Sequence, residues 1–287
     1  MVSPLLSIFL MGLVPVWGLQ GKEPVDLREM HVAAPIARAA NAEEHRVLER
    51  RLSASGAIVV DLDSGQTVFS LNADVTRPMA SLTKLMSALL IVENHDLEEV
   101  VTIPRDIPDV TGNVVQLPPG DQFTVGDLLS ALLIMSANDA AVTLARYHSG
   151  SLSAFVNEMN ARAEELGLRH TVYANPTGLD ADAQQSTPRD LAWLSMYVFR
   201  HPALAERMST RGLTIESRKG IKIYLTHTHA LLHADTAVIA GKTGTTDAAG
   251  QCLLSIVRRA QRRYVVILLR SLDRYADMRT VLDMFSD

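Results

Sequence analysis

Three short motifs follow one another in this 287-residue chain and bring together side chains able to form a covalent catalyst. In chain order they are S-x-x-K at residues 81–84, S-x-N at 136–138 and K-T-G at 242–244. No single motif is decisive, since residues 70–72 also match S-x-N. The ordered set is far more specific, because S-x-x-K and K-T-G each occur once.

Lysine is scarce in this chain, which makes its presence in two of the three motifs informative. The 27 basic residues comprise five lysines and 22 arginines. An arginine guanidinium stays protonated, whereas a lysine ammonium can be shifted toward neutrality. Lys84 and Lys242 therefore indicate chemistry that needs an amine and that arginine does not provide.

The spacing of Ser81 and Lys84 suits a nucleophile and its base. Three residues apart at the start of a predicted helix, they share one face, with Cβ atoms roughly 5–6 Å apart. A serine hydroxyl needs an adjacent base to become a good nucleophile. A lysine can be that base if burial and a nearby cation lower its pKa, and Lys242 is a candidate for the cation.

The other motif residues suit an amide substrate. Ser136 can pass a proton toward a leaving amine, and Asn138 can hydrogen-bond the substrate amide. The backbone N–H groups of Ser81 and Thr245 are candidates for an oxyanion hole.

The composition fits one sizeable domain or two small ones. Of the residues, 47% are hydrophobic, and the net charge of -5 argues against a nucleic-acid partner. The only dense basic segment, 258–263, is predicted to be a solvated hairpin turn between two apolar runs. Cys252 is the single cysteine, which excludes an intrachain disulfide and a thiolate zinc cluster.

The first 19 residues carry no charged side chain and are mostly apolar, like the core of a secretory signal. We predict a signal peptide over 1–18, a leader segment over 19–51 and the functional domain over 52–287. The protein would then be exported, to the periplasm or outside the cell, with no stable membrane anchor after cleavage. An uncleaved anchor is the alternative, although glycine and proline interrupt the segment.

Hydrophobic periodicity predicts a mixed α/β (α+β) fold in which an antiparallel sheet is covered by helices and joined to a helical lobe. The catalytic residues should lie where the lobe meets the sheet. Strands are predicted over 56–62, 67–69, 237–240, 252–257 and 264–269. Helices are predicted over 43–52, from about 81, over 125–135, 139–148, 152–166 and 188–199 within a mainly helical stretch from 98 to 201, and over 273–285.

Four segments, 79–86, 135–141, 175–179 and 241–250, resemble the low-molecular-mass penicillin-binding proteins, the D-alanyl-D-alanine carboxypeptidase and endopeptidase family. The similarity extends over roughly residues 52–286. It implies a five-stranded antiparallel sheet with helices on both faces and a helical lobe. It also implies peptidoglycan peptides ending in D-Ala-D-Ala as substrate, β-lactams as covalent inhibitors, and no cofactor.

The resemblance assigns a role to each motif residue. Ser81 is expected to form the acyl ester, Lys84 to accept its proton, and Ser136 to be the third catalytic residue. Lys242 would bind the terminal carboxylate or its surroundings, helped by the hydroxyls of Thr243 and Thr245. The expected substrate-binding residues are Asn138, Lys242, Thr243, Gly244 and Thr245.

Several alternatives stay open at this stage. Carboxypeptidase activity is expected first, followed by cleavage of peptidoglycan cross-links by an endopeptidase. A β-lactamase is less favoured because no E-x-x-L-N stretch occurs between residues 136 and 242. A cell-wall binding module without turnover has no motif in its favour. His227, His229 and His233 have zinc-like spacing but no accompanying Glu or Cys motif, which favours packing roles over a metal site.

Overall fold

The computed structural model describes residues 42–106 and 110–285. The predicted signal peptide and most of the predicted leader lie outside these residues. The helix predicted over 43–52, at the C-terminal end of the leader, is confirmed as helix α1, Ala42–Arg51. In the described ranges no helix combines the length and apolar character needed to span a bilayer.

The described residues contain eight α-helices and nine strands. The helices are α1 Ala42–Arg51, α2 Lys84–Asn94, α3 Val125–Ile134, α4 Asn138–Ser149, α5 Leu152–Glu165, α6 Pro188–Arg200, α7 Pro202–Ser209 and α8 Arg274–Asp283. The strands are β1 Gly56–Asp61, β2 Thr67–Leu71, β3 Val100–Thr102, β4 Gln122–Thr124, β5 Gly212–Glu216, β6 Lys222–Thr226, β7 Val238–Thr246, β8 Gly250–Arg259 and β9 Arg262–Ser271.

The predicted five-stranded antiparallel sheet is confirmed. Its order is β2-β1-β9-β8-β7, and every neighbouring pair is antiparallel. The basic segment forms the predicted turn between β8 and β9, where Arg259 pairs with Arg262 and both side chains are exposed. The first strand of the domain, β1, thus pairs with its last strand, β9, and the helices of the lobe are inserted in the chain between them.

Both faces of the sheet are covered, as predicted. Successive side chains of a strand point to opposite faces, and every residue of β1 is buried. Ala57 and Val59 pack in a core with α1 and α8, whereas Ile58 and Val60 join the larger core of the helical lobe. This double burial explains why the β1 sequence is almost continuously apolar.

Some local features differ from the sequence-based prediction. The stretch from 98 to 201 is not helical throughout, because β3 and β4 form a short hairpin there. A second hairpin, β5–β6, and helix α7 lie where no element was predicted. Alternation of apolar residues signals the second hairpin, since Ile215 and Leu225 are buried while their strand neighbours Thr214 and Tyr224 are exposed.

Candidate active site

Ser81 lies in a 3-10 turn, Ala80–Thr83, and α2 begins only at Lys84. This turn is unusual because Ala80 has a positive φ of 48°. Gly178, with a φ of 86°, packs against it so closely that a Cβ would lie 2.1 Å from the Ala80 carbonyl oxygen. Only glycine allows this approach, so Gly178 lets the 175–179 loop support the turn that carries Ser81.

The side chain of Asn175 fixes the shape of that loop. Its Oδ1 accepts hydrogen bonds from the backbone N–H of Thr177, at 3.1 Å, and of Gly178, at 2.7 Å. The carbonyl oxygen of Thr177 then accepts a short hydrogen bond from Lys84 Nζ. The Asn-Pro-Thr-Gly segment, which local chemistry marks only as a turn, therefore positions the lysine.

The amine of Lys84 is fully buried and contacts three oxygen atoms. Ser81 Oγ is 3.1 Å from Nζ, Asn138 Oδ1 is 2.6 Å away, and the third is the carbonyl oxygen of Thr177. An amide oxygen and a backbone carbonyl can only accept. In the neutral amine they take both N–H groups, which leaves the lone pair directed at Ser81 Oγ.

Burial lowers the pKa of Lys84 to about 7, and the charge of Asp139 opposes this change. Of the two causes that the sequence suggested, burial is therefore the main one for Lys84, and no nearby cation contributes to this shift. The pKa of Lys242 is also held well below its ordinary value by burial, with repulsion from Lys84 and Arg274 adding to the effect. Near neutral pH about half of the Lys84 side chains carry a free lone pair.

Ser136 links the helical lobe to the sheet. It lies between α3 and α4, is 2% exposed, and has a positive φ of 60°. Its Oγ accepts a hydrogen bond of 2.6 Å from Lys242 Nζ on β7, and this amine also donates to the Thr243 carbonyl oxygen at 2.8 Å. A non-glycine residue in this conformation is strained. The conformation places Ser136 Oγ within hydrogen-bonding distance of Lys242 Nζ.

Asn138 is the first residue of α4 and bridges two parts of the site. Its Oδ1 faces Lys84, while its Nδ2 donates to the carbonyl oxygen of Thr111 at 2.6 Å. The orientation of the amide is thereby fixed. The side chain positions Lys84, a role that the sequence analysis did not include.

The K-T-G segment lies on β7 and presses against the turn that holds Ser81. A Cβ at Gly244 would lie 2.9 Å from the backbone nitrogen of Ser81, so glycine is required here. The two backbone segments proposed for an oxyanion hole are thus adjacent. Thr243 Oγ1 lies 2.6 Å from Thr228 Oγ1, and Thr245 Oγ1 accepts a short hydrogen bond from Arg274.

Arg274 belongs to the site although no sequence motif marks it. It is the first residue of α8, and it also donates to the carbonyl oxygens of Gly244, at 2.9 Å, and Cys252, at 3.1 Å. A cavity of about 520 Å³ is bordered by Arg274, Tyr275 and the hydroxyl-bearing residues Thr243 and Thr245. This cavity combines a cation with several hydroxyl groups, which suits an anionic ligand.

The three histidines have packing contacts. His229 Nε2 lies 2.8 Å from Ser255 Oγ, and the His229 backbone N–H donates to His227 Nδ1 at 3.0 Å. His233 Nε2 lies 2.9 Å from the His227 carbonyl oxygen. Burial lowers the pKa of His227 to about 3 and of His229 to about 4, so both are neutral near pH 7. Across the described residues, no group of three or more His, Cys, Asp or Glu side chains is arranged to hold a metal.

Curated relatives of this chain are D-alanyl-D-alanine peptidases. D-alanyl-D-alanine carboxypeptidase DacF of Bacillus subtilis is 29% identical over 228 residues, which is 78% of this chain and 59% of that protein. The D-alanyl-D-alanine endopeptidase of Pseudomonas aeruginosa is 33% identical over 226 residues, or 77% of this chain and 73% of that protein. The chain therefore spans between about three fifths and three quarters of these relatives.

Solved structures show the same architecture. A D-alanyl-D-alanine carboxypeptidase from Mycobacterium tuberculosis superposes with a TM-score of 0.76 at 31% identity, covering 81% of this chain and 90% of that one. The Streptomyces K15 DD-transpeptidase gives a TM-score of 0.77 at 26% identity, covering 81% and 96%. The family model for D-alanyl-D-alanine carboxypeptidases matches residues 40–271, and this chain belongs to that family of serine peptidases.

Proposed function

We propose that this protein is a serine-type D-alanyl-D-alanine carboxypeptidase that removes the terminal D-Ala from peptidoglycan stem peptides. The observation that carries the proposal is the 3.1 Å contact between the buried amine of Lys84 and Ser81 Oγ. A neutral amine in this position is a base, and the hydroxyl beside it is the group that it can deprotonate.

In the acylation step, Ser81 Oγ attacks the carbonyl carbon between the two D-Ala residues and transfers its proton to Lys84 Nζ. The backbone N–H groups of Ser81 and Thr245 stabilise the negative charge that develops on the carbonyl oxygen. The C–N bond then breaks, and the leaving amine takes up the proton that Lys84 accepted, for which the Ser136 hydroxyl is the proposed carrier, so that Lys84 is neutral again. The products of this step are free D-Ala and an ester of Ser81.

Deacylation uses the same base. A water molecule attacks the ester carbonyl while Lys84 accepts one of its protons. The ester bond breaks, Ser81 Oγ recovers a proton, and the shortened peptide leaves with a new carboxylate. This step restores the starting enzyme.

Substrate binding follows from the position of β7 in the sheet. This strand is the last in the sheet order, so along the described part of the chain its outer edge pairs with no further strand. An extended peptide can add to such an edge through backbone hydrogen bonds. The terminal carboxylate would then meet Thr243, Thr245 and Arg274, which border the cavity of about 520 Å³, with Lys242 beside Thr243 on the same strand.

Endopeptidase activity is the second candidate. Both reactions form the same Ser81 ester and differ only in the group that leaves the carbonyl carbon. Relatives from Pseudomonas aeruginosa and Escherichia coli, 33% and 31% identical to this chain, are named D-alanyl-D-alanine endopeptidases. The cavity of about 520 Å³ bordered by Thr243, Thr245 and Tyr275 is the space that a leaving group larger than D-Ala would occupy.

The proposed substrate also places the enzyme outside the cytoplasm, because cross-linked peptidoglycan lies there. We propose that residues 1–18 direct export and that the catalytic domain comprises residues 52–287. β-Lactams, which present a reactive amide near a carboxylate, would acylate Ser81 in place of the peptide.

Product analysis on purified muropeptides tests the proposal. The full mature chain is incubated with a monomeric pentapeptide and with a cross-linked dimer, beside a Ser81→Ala variant as control. Release of D-Ala from the monomer that requires Ser81 supports the carboxypeptidase, and conversion of dimer to monomers supports the endopeptidase. Absence of both products, or equal release by Ser81→Ala, would overturn the assignment.

A further inference from the structure

Two threonine hydroxyl groups meet at the wall of the proposed carboxylate site. Thr228 Oγ1 lies 2.6 Å from Thr243 Oγ1, close enough for a hydrogen bond in which either is the donor. A carboxylate only accepts hydrogen bonds. Thr243 can therefore donate to a substrate carboxylate only if its own proton is not used toward Thr228.

The backbone of Thr228 is held on both sides. Its N–H donates to the Ile134 carbonyl oxygen at 3.1 Å, at the end of α3. Its carbonyl oxygen accepts from the Tyr275 hydroxyl at 3.0 Å, and that hydroxyl accepts in turn from the Ala230 N–H at 2.9 Å. Tyr275 therefore ties the segment on both sides of His229 to the start of α8.

The side chain of His229 adds a third restraint. It lies over Gly241, where a Cβ would come within 2.4 Å of its Cδ2 atom, and its Nε2 is 2.8 Å from Ser255 Oγ. Gly241 and Ser255 pair across β7 and β8. The segment that carries Thr228 is thus fixed against the strand that carries Thr243.

We infer that Thr228 is a positioning residue that donates its hydroxyl proton to Thr243 Oγ1 and so directs the Thr243 proton at the substrate carboxylate, with the Tyr275 hydroxyl holding Thr228 in place. The inference rests on the proposed function, since it assigns the role of two residues in recognising that carboxylate. Hydrogen bonds in such a chain strengthen one another. Loss of the Thr228 hydroxyl should weaken binding of substrates with a free carboxylate and leave other substrates unaffected.

The test compares a peptide ending in D-Ala-D-Ala with its C-terminal amide. Thr228→Val is nearly isosteric but lacks the hydroxyl, and we expect it to lower kcat/KM on the acid about tenfold, mainly through KM. On the amide it should stay within about twofold of the wild type. Thr228→Ser keeps the hydroxyl and should remain within about threefold of the wild type on both. Equal losses for Val and Ser, or equal losses on acid and amide, would overturn the inference.

A double-mutant cycle separates positioning from direct contact. If Thr228 acts through Thr243, then Thr228→Val should cost nothing further in a Thr243→Val background. A full additional loss in the double variant would mean that Thr228 contacts the substrate itself, and would refute the positioning role. Tyr275→Phe should reproduce the selective loss on the acid, whereas Tyr264→Phe, remote from the site and packed on Phe285, should change neither substrate.

Acylation by benzylpenicillin and by its methyl ester gives a readout that does not depend on peptide turnover. Thr228→Val should slow acylation by the acid and not by the ester. If the wild type turns over neither peptide, the proposed function fails while the penicillin pair still tests Thr228. If peptide turnover is normal and the penicillin rates and peptide selectivity are unchanged, the inference alone fails.

Discussion

Replacing Asn138 by Asp places a carboxylate where the structure has an amide oxygen 2.6 Å from Lys84 Nζ. The shape of the side chain is preserved and a negative charge is added. An opposite charge at this range shifts a pKa by about 1–3 units, so the pKa of Lys84 should rise from about 7 to between about 8 and 10. The neutral fraction of Lys84 at pH 7 would then fall by a factor of about 5 to 500.

The assay is the rate of acylation by a penicillin, followed by intact-protein mass between pH 6 and pH 10. The wild-type rate should rise with pH around the pKa of Lys84 and level off above it. Asn138→Asp should be slow at pH 7 and recover as the pH approaches 10, because deprotonation restores the same base. This recovery distinguishes a shifted pKa from simple damage to the site.

Asn138→Ala is the control, since it removes the amide without adding a charge. Both variants lose the 2.6 Å hydrogen bond to the Thr111 carbonyl oxygen, and in Asn138→Asp a carboxylate oxygen would also face that carbonyl oxygen, which places two acceptors in contact. Asn138→Ala should lower the rate by a similar factor at every pH. If Asn138→Asp is acylated but shows its inflection at the wild-type pH, then Lys84 is not the base.

Three further predictions follow from the same contacts. Gly178→Ala should abolish acylation, because its Cβ would lie 2.1 Å from the Ala80 carbonyl oxygen. Gly150→Ala is the control, since Gly150 has a similar φ of 72° but open space around it, and this change should lower the free energy of unfolding by only about 1 kcal/mol. Lys84→Arg should lower the acylation rate, followed by intact-protein mass, more than about tenfold, since a guanidinium stays protonated, and Lys84→Met should be inactive. Burial holds the pKa values of His227 and His229 at about 3 and about 4. The unfolded chain therefore binds more protons than the folded chain below pH 6.5, and at pH 5 each histidine should lower the free energy of unfolding by about 2 kcal/mol. Urea unfolding at pH 7 and pH 5 measures this loss, which should be smaller in His229→Asn and would contradict the argument if it were unchanged.

The sequence predicted β1, β8 and β9 of the central sheet well, because most of their residues are buried on both faces, whereas β7 runs to Thr246, beyond the predicted 237–240. The pairing of β8 with β9 next to their turn could also be inferred from the sequence, since a two-residue turn flanked by four arginines leaves few other ways to pair the two strands. The motif residues themselves come together as expected, because S-x-x-K, S-x-N and K-T-G mark the elements that must meet. Local patterns were sufficient wherever burial or a turn fixed the structure.

Arg274 is a residue of the site that local sequence patterns could not identify. Its guanidinium reaches the Gly244 carbonyl oxygen only because β9 returns beside β8 and β8 pairs with the K-T-G strand β7, so that the residues after β9 lie at the same end of the sheet as Gly244. Similarly, the positive φ of Ser136 comes from its place between α3 and α4. The Arg274 contact joins residues 30 positions apart, and no periodicity or propensity marks a serine with a positive φ.

The burial that makes Lys84 a base also carries a cost in stability. Its folded pKa of about 7 lies below the ordinary lysine pKa of 10.5, so at pH 7 the unfolded chain holds this proton more tightly. Linkage converts the difference to about 4 kcal/mol of lost stability at pH 7, a loss that fades as the pH rises toward 10.5. That cost is a large share of the roughly 5–15 kcal/mol by which domains are stable. The extensive apolar core between the sheet and the lobe is what offsets it, and the same core excludes the water that would otherwise restore the charge of the amine. Packing and catalysis are therefore coupled at Lys84, since any change that admits water to its amine should raise its pKa, stabilise its charged form and slow acylation together.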